Sequence, residues 1–247
     1  MKIEIRENER IDDLEYDNLK IIQNKNWFCF GIDSVLLSDF AKEIKDKSNV
    51  IDFGTGTGII GILLCKKTKL KKIYGVEIQE NVAEMAKRSI LLNNLQDKFE
   101  IVNENIKNID KTLEKNYFDA IVTNPPYKKE NTGLINDKKE QYIARHEIEC
   151  KLEDIISQTY KLLKNNGEFY MIHRAERIVD ILYLLRKYKL EPKKIRFVHS
   201  KVNMSPEFIL VKAVKNAKEF LKIEKPLYIY NDDGKYTEEI LEIYNKK

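Results

Sequence analysis

The sequence predicts a doubly wound α/β fold, with a mainly parallel sheet and helices on both faces. Short apolar runs typical of strands alternate with amphipathic segments of helical period over most of the chain. Strands separated by helices pair in parallel through right-handed crossovers. After Tyr188 two strand runs follow one another without a helix between them, which predicts an antiparallel hairpin at the C-terminal end of the sheet.

The elements can be assigned in order from the apolar spacing. Residues 33–44 carry the i, i+3, i+4 stripe of a helix, which Asp33 or Ser34 is expected to cap. Further helices are predicted over 58–67, 81–93, 151–167 (ended by Gly167) and 177–188, with a last one started by Thr237. Strands are predicted over 49–53, 72–78, 99–103, 118–123, 168–173, 194–200 and 207–215, with a short strand and a turn at Asp233-Gly234 before the last helix.

Composition excludes several classes of protein. Of the 247 residues, 43% are apolar and 34% charged, and no apolar run approaches the ~20 residues that cross a bilayer. The formal charge of +4 is compatible with a polyanionic partner without requiring one. The three cysteines and three histidines are scattered, so we expect neither a disulfide framework nor a metal site. The N-terminal residues alternate in charge, so we expect a cytoplasmic protein without a membrane partner.

A glycine loop is the first functional signal. Asp52-Phe-Gly54-Thr55-Gly56-Thr-Gly58 follows a strand and opens a helix, at the sheet edge where such folds bind ligands. Glu77 ends the next strand, 77 − 58 = 19 residues later, where it can accept hydrogen bonds from two ribose hydroxyls. The pattern favours a nucleoside-containing cofactor in a Rossmann-like fold. A purely structural turn and an NAD site remain open, although the GxGxG spacing departs from GxGxxG.

The second signal is Asn124-Pro125-Pro126-Tyr127, a stiff turn that follows strand 118–123 at the same edge. A planar amine attacks a methyl sulfonium most readily when its two N–H groups meet acceptors placed for a tetrahedral nitrogen. Asn124 Oδ1 and the Pro125 carbonyl can be those acceptors, and Tyr127 can stack on the base. An ordinary turn with a half-buried tyrosine is the alternative.

Together these motifs resemble the S-adenosylmethionine-dependent methyltransferases that act on planar nitrogen in DNA, RNA or glutamine side chains. The resemblance implies a class I methyltransferase fold with S-adenosylmethionine as cofactor. It also implies a glycine loop against the methionine moiety, an acid on the ribose, and a contact to the adenine from Asn105, where the family usually has Asp. The implied cofactor residues are Asp52, Gly54, Thr55, Gly56, Gly58, Glu77, Ile78, Asn105 and Ile106.

Further segments resemble one subfamily, the bacterial tRNA1(Val) (adenine-37-N6)-methyltransferases. This resemblance implies N6 methylation of the adenosine beside the anticodon, a tRNA partner and no obligate protein partner. It also implies a single domain over 1–247, with 1–48 as an extension packing on the cofactor and substrate side. The segments that carry it are Asp12-Asp13-Leu14, Leu19-Lys20-Ile21-Ile22-Gln23, Phe28 to Leu37, Ala144-Arg145-His146-Glu147 and Gly234 to Glu239.

The RNA is expected on the cofactor side of the sheet, where Lys128, Lys129, Arg145 and His146 follow the Asn-Pro-Pro-Tyr turn. The lysine run over 66–72 connects a helix to the start of a strand, so we expect it to form a solvated face at the opposite edge. Three alternatives stay open: an N5-glutamine protein methyltransferase, another rRNA or DNA amino-group methyltransferase, and an RNA-binding module without catalysis. Only 49 − 1 = 48 residues precede the first strand, which disfavours the glutamine enzymes with their larger substrate domain.

Overall fold

A computed structural model describes residues 3–26, 30–126 and 150–246. The helices of these ranges are α1 Ile32–Phe40, α2 Ile59–Lys67, α3 Glu80–Leu92, α4 Leu152–Leu162, α5 Ile178–Lys187 and α6 Glu238–Ile243, with 3₁₀ helices at Ile106–Lys111 and Ala175–Arg177. The strands are β1 Glu9–Asp13, β2 Lys20–Asn24, β3 Asn49–Phe53, β4 Lys72–Glu77, β5 Phe99–Asn103, β6 Phe118–Thr123, β7 Leu163–Arg174, β8 Leu190–His199, β9 Pro206–Lys215, β10 Lys222–Ile223 and β11 Leu227–Tyr228.

The main sheet has the order β10-β8-β9-β7-β6-β3-β4-β5, with β11 also paired to β8. Strands β7, β6, β3, β4 and β5 are parallel, so their carboxyl ends form one edge. The β8–β9 hairpin joins this sheet with β9 antiparallel to β7. The predicted fold class and the predicted C-terminal hairpin are therefore confirmed.

Two apolar cores lie on the two faces of the sheet. One gathers side chains of α1, α2, α3 and α6, and the other gathers those of α4 and α5. All five residues of strand β3 are buried. Its consecutive residues Val50 and Ile51 point to opposite faces and belong to different cores. Burial on both faces explains why β3 has apolar residues at consecutive positions and shows no alternation of apolar and polar residues.

Two predicted helices have wrong boundaries. Helix α1 begins at Ile32 after Gly31, so Asp33 and Ser34 lie in its first turn and do not cap it, and it ends at Phe40. Helix α4 ends at Leu162, five residues before Gly167, and β7 follows directly. The apolar spacing of the α4 sequence continues through Leu162 and Leu163, so periodicity alone could not locate this boundary.

An N-terminal hairpin that the sequence analysis did not predict packs on α3. Strands β1 and β2 pair antiparallel, and the Ile22 N–H donates to Ser89 Oγ at 3.0 Å. Arg88 forms ion pairs with Glu9 at 2.6 Å and with Glu84 at 2.9 Å. Because Ile21 and Ile22 are both fully buried, β2 shows no alternation of apolar and polar residues that would indicate a strand.

The lysine run over 66–72 is only partly the solvated face that was expected. It extends from the last turn of α2 to the first residue of β4, at the amino edge of the sheet, and Lys69 and Lys71 are exposed. The Lys67 side chain is instead buried, with Nζ donating to the Ile243 carbonyl at 3.0 Å and lying 4.3 Å from the Tyr16 ring centroid. Lys67 thus joins α2 to the C-terminal helix, and burial lowers its pKa.

Candidate active site

A cavity of about 510 Å³ lies at the carboxyl edge of the parallel strands. Its volume is within the ~300–1,000 Å³ that small-molecule sites occupy. Residues from the N-terminal segment, the glycine loop and the ends of β4, β5 and β6 line it together. The expected cofactor loop and the expected acceptor turn therefore open onto one cavity.

The glycine loop presents bare backbone to this cavity. Gly54 and Gly56 have φ of +68° and +56°, a conformation that side-chain-bearing residues avoid. Apart from its chain neighbours, no atom of the described residues lies within 4 Å of the position that a Cβ would take at either glycine, so a ligand can approach the main chain closely. Gly58 does not line the cavity; a Cβ there would face the core, 3.5 Å from the Phe99 ring.

Glu77 is buried at the end of β4 and fixed by the surrounding backbone. Its Oε2 accepts from the Gly56 N–H at 3.1 Å, and its Oε1 accepts from the Gln79 N–H at 2.9 Å. The carboxylate therefore connects β4 to the glycine loop across the cavity wall. A carboxylate offers about four lone-pair sites over its two oxygens, so a group of this type can accept from ligand hydroxyls as well as from backbone N–H groups.

Asp52 lies behind the loop and does not line the cavity. It is fully buried, and one carboxylate oxygen accepts from the Thr55 hydroxyl at 2.6 Å. Burial raises the pKa of this carboxyl to about 7, and the nearby Glu77 carboxylate adds to the rise. The position suits a residue that holds Thr55, which does line the cavity.

Asn105 stands at the predicted place, after β5. It lines the cavity together with Ile78 and Ile106, which are expected neighbours of the cofactor. The Asn105 Oδ1 accepts from the Lys107 N–H at 2.9 Å and caps the 3₁₀ helix. A short polar side chain at this position therefore also has a structural role.

The acceptor turn leaves the end of β6 with Asn124, Pro125 and Pro126 lining the cavity. The Asn124 carboxamide is anchored from the N-terminal segment: Nδ2 donates to Asp33 Oδ2 and to Ser34 Oγ, both at 3.1 Å. Tyr127, Lys128, Lys129, Arg145 and His146 lie outside the described residues.

Sequence reasoning missed several residues of the cavity. Asn24, Phe30, Asp33 and Ser34 line it from the N-terminal segment, and Arg174 lines it from the end of β7. The first group belongs to residues 1–48, which were expected on the cofactor and substrate side, but no individual residue among them was identified as part of the site. Arg174 is the last residue of β7, which is parallel to β6, so it lies at the same edge as Asn124, and that position could have suggested it.

Within the described ranges no helix has the length and apolar character needed to cross a membrane. The same ranges hold no cluster of three or more His, Cys, Asp or Glu side chains arranged for a metal ion.

Comparisons with known proteins agree with this geometry. A protein from Porphyromonas gingivalis named tRNA1(Val) (adenine(37)-N6)-methyltransferase is 30% identical over 187 residues, covering 73% of this chain and 72% of that protein. A protein of the same name from Flavobacterium johnsoniae is 25% identical over 93% of this chain and 96% of its own length. The crystal structure of an Agrobacterium tumefaciens protein described as a predicted O-methyltransferase superposes with a TM-score of 0.69 at 18% identity, covering 86% of this chain and 95% of that one.

Sheet order, glycine loop and acceptor turn define a methyltransferase of class I fold. The sequence pattern of the methyltransferase small domain family matches residues 19–188. The chain belongs to this family, together with the tRNA1(Val) (adenine(37)-N6)-methyltransferases that resemble it. The expected S-adenosylmethionine cofactor is confirmed with the family.

Proposed function

We propose that this protein transfers a methyl group from S-adenosylmethionine to the exocyclic N6 of an adenosine in tRNA, at the position beside the anticodon of tRNA1(Val). The observation that carries the proposal is the shared cavity, onto which the glycine loop and Asn124-Pro125-Pro126 both open. The names of the relatives from Porphyromonas and Flavobacterium support this choice of substrate.

The cavity suits the proposed cofactor. The bare backbone at Gly54 and Gly56 leaves room for the methionine moiety, Glu77 can accept from the ribose hydroxyls, and the Ile78, Asn105 and Ile106 side chains can enclose the adenine. When bound, the cofactor supplies an electrophilic methyl group on a sulfonium. Asp52 and Gly58 support the loop from behind it.

The acceptor residues prepare the adenine amine. Asn124 Oδ1 and the Pro125 carbonyl accept its two N–H groups, which favours the geometry of a nitrogen whose lone pair points out of the ring plane. For Tyr127, which lies outside the described residues, we propose stacking on the base, which would restrict the position of the amine. The amine becomes acidic as the new bond forms, so its proton can leave to solvent without a strongly basic side chain.

We infer that the whole chain acts as one methyltransferase domain, with residues 1–48 packed on the cofactor and substrate side. The contribution of Asn24, Phe30, Asp33 and Ser34 to the cavity wall supports this arrangement. For the RNA we propose phosphate contacts from Lys128, Lys129, Arg145 and His146, which lie outside the described residues and follow the acceptor turn in the sequence.

The direct test is to incubate the protein with methyl-labelled S-adenosylmethionine and unmodified total tRNA, then to locate the modified nucleoside by mass spectrometry. We expect N6-methyladenosine beside the anticodon of tRNA1(Val). A label found only in glutamine of a protein, or at another nucleoside, would contradict the proposed substrate.

We predict that Asn124→Ala lowers methylation by at least about a hundredfold, because the amine loses an acceptor that acts in the transition state. The dissociation constant for S-adenosylmethionine, measured by calorimetry, should stay within about twofold, since the side chain orients the acceptor and not the cofactor. Near-normal turnover of this variant would end the proposed role of Asn124.

A further inference from the structure

We propose that Asp33 and Ser34 are positioning residues that set the orientation of the Asn124 carboxamide, so that its Oδ1 meets the target amine. This inference rests on the proposed function for its catalytic consequence. The orientation itself is a property of the protein alone and can be tested without the RNA.

Both hydrogen bonds run in one direction. Asn124 Nδ2 donates to Asp33 Oδ2 and to Ser34 Oγ at 3.1 Å each, so the donor end of the carboxamide is directed at the start of α1. A carboxamide turned by 180° would place Oδ1 against the Asp33 carboxylate, and two acceptors facing each other in a buried place repel. The carboxylate therefore discriminates between the two orientations of the amide, which would otherwise occupy the same volume.

Burial and hydrogen bonding fix the side chains of Asp33 and Ser34 in turn. Asp33 and Ser34 are only 6% and 5% exposed. The second Asp33 oxygen, Oδ1, accepts from the Ser34 N–H at 2.9 Å, so both oxygens of this carboxylate act as acceptors. A Cβ at Gly31 would lie 2.8 Å from that oxygen, so the glycine before α1 leaves the space that the Asp33 side chain occupies.

This contact joins two parts of the chain that are far apart in the sequence. Asp33 and Ser34 belong to the N-terminal segment, and Asn124 follows β6, 91 and 90 residues later. Asp33 and Ser34, which the sequence analysis considered only as helix caps, therefore form part of the cavity wall beside the acceptor turn. Asparagine without such a partner would sample both amide orientations, and only one of them offers an acceptor to the amine.

The test exploits the donor and acceptor pattern. In Asp33→Asn, an NH₂ group replaces one carboxylate oxygen. The side chain then has a single acceptor oxygen, which cannot serve both the Ser34 N–H and the Asn124 amide. We expect kcat to fall by about tenfold or more, with the dissociation constant for S-adenosylmethionine within about twofold of wild type. Ser34→Ala removes the second acceptor and should lower kcat by a smaller factor.

Exchange of the two groups should restore the pattern. Asn124→Asp alone places two carboxylates together, whereas in the double variant Asp33→Asn with Asn124→Asp the new amide donates to the new carboxylate. We expect the double variant to have a higher kcat than either single variant. If Asp33 instead held the cofactor, Asp33→Asn would raise the S-adenosylmethionine dissociation constant and Asn124→Asp would not compensate.

Ser38→Ala is the matched control for Ser34→Ala. Ser38 is buried one turn later on α1, and its hydroxyl donates to the Val35 carbonyl of the same helix. We expect the kcat of Ser38→Ala to equal that of wild type. An equal loss in both serine variants would mean that Ser34 acts only through the stability of α1, and would overturn the proposal.

A readout without RNA separates this inference from the proposed function. The carboxamide signal of Asn124 in ¹⁵N spectra is assigned by its loss in Asn124→Ala. We expect its protons to exchange slowly with water in wild type and faster in Asp33→Asn. A protein that does not methylate tRNA but shows this difference would refute the function and keep the orientation. Unchanged exchange together with unchanged kcat would refute the orientation.

Discussion

Glu77 illustrates how one residue serves both the fold and the cavity. Its carboxylate accepts from the backbone of Gly56 and Gln79, which fixes the glycine loop to the end of β4. The same side chain lines the cavity, where acceptors for ribose hydroxyls are expected. The binding group is thus rigid before the cofactor arrives, and a rigid site loses less entropy on binding.

We predict that Glu77→Ala raises the dissociation constant for S-adenosylmethionine by about tenfold to a hundredfold, the usual worth of hydrogen bonds to a charged group. Calorimetry measures this value directly. Glu100→Ala is the control, because Glu100 lies on the neighbouring strand β5 and pairs with Lys72 at the amino edge, away from the cavity. An unaltered constant in Glu77→Ala would mean that the ribose is held elsewhere.

The raised pKa of Asp52 predicts how the stability of the protein depends on pH. Its folded-state pKa is raised to about 7, above the ~3.9 of an unfolded chain. Between these two pKa values the unfolded chain has released the Asp52 proton, whereas the folded protein still holds it. The free energy of unfolding contributed by Asp52 therefore falls as the pH rises, and this contribution is lost once the pH has passed 7. Relative to Asp52→Asn, wild type should lose up to about 1.4 kcal/mol of unfolding free energy per pH unit in this window. Urea unfolding at pH 5 and 7.5 tests this, and a constant difference between the two proteins would contradict it.

At the scale of elements, the end of α4 is set by groups distant in the sequence. The Lys215 ammonium, only 4% exposed, donates to the Tyr160 and Leu163 carbonyls at 2.6 and 2.8 Å. The backbone N–H groups of Asn116 and Tyr117 donate to the next two carbonyls, those of Lys161 and Leu162. These donors satisfy the last turn of the helix, so the chain can enter β7 at once.

We predict that Lys215→Met lowers the free energy of unfolding by about 3 kcal/mol, because it leaves buried carbonyls without their donor. Methionine has a similar volume, so a packing defect is small. The exposed Lys218→Met should change stability by less than about 0.5 kcal/mol in the same denaturation experiment. Equal stability of the two variants would show that Lys215 does not cap the helix.

Local patterns predicted most of the elements, although not the β1–β2 hairpin, and the motifs of the site. Strand β3 was predicted with its observed bounds, and Gly54, Gly56, Glu77 and Asn124 of the motifs found in the sequence line one cavity. Each of these signals is contained in a few consecutive residues or in the order of strands along the chain. The end of α4 and the contact of Asp33 with Asn124 depend instead on groups from other parts of the chain, so periodicity and motif spacing carry no information about them.

At the scale of the whole molecule, the two edges of the sheet differ in their basic residues. The exposed Lys69 and Lys71 lie at the amino edge, beside the start of β4. The carboxyl edge contains the cavity, with Arg174 in its wall and its guanidinium 5.4 Å from the Phe208 ring centroid. An RNA whose base enters the cavity places the phosphates next to that base at the carboxyl edge, so basic residues near this edge should contribute most to binding.

This asymmetry predicts the effect of paired lysine substitutions on tRNA binding. We expect Lys128→Ala with Lys129→Ala, in the sequence after the acceptor turn, to weaken tRNA binding and to flatten its salt dependence. The log–log slope should fall by up to about 0.9 for each phosphate that the protein no longer neutralises. Lys69→Ala with Lys71→Ala removes the same charge from the amino edge and should leave the slope of wild type. Because both variants change net charge equally, any difference between their slopes reports where the RNA lies. Equal slopes in titrations at several salt concentrations would place the phosphates away from Lys128 and Lys129.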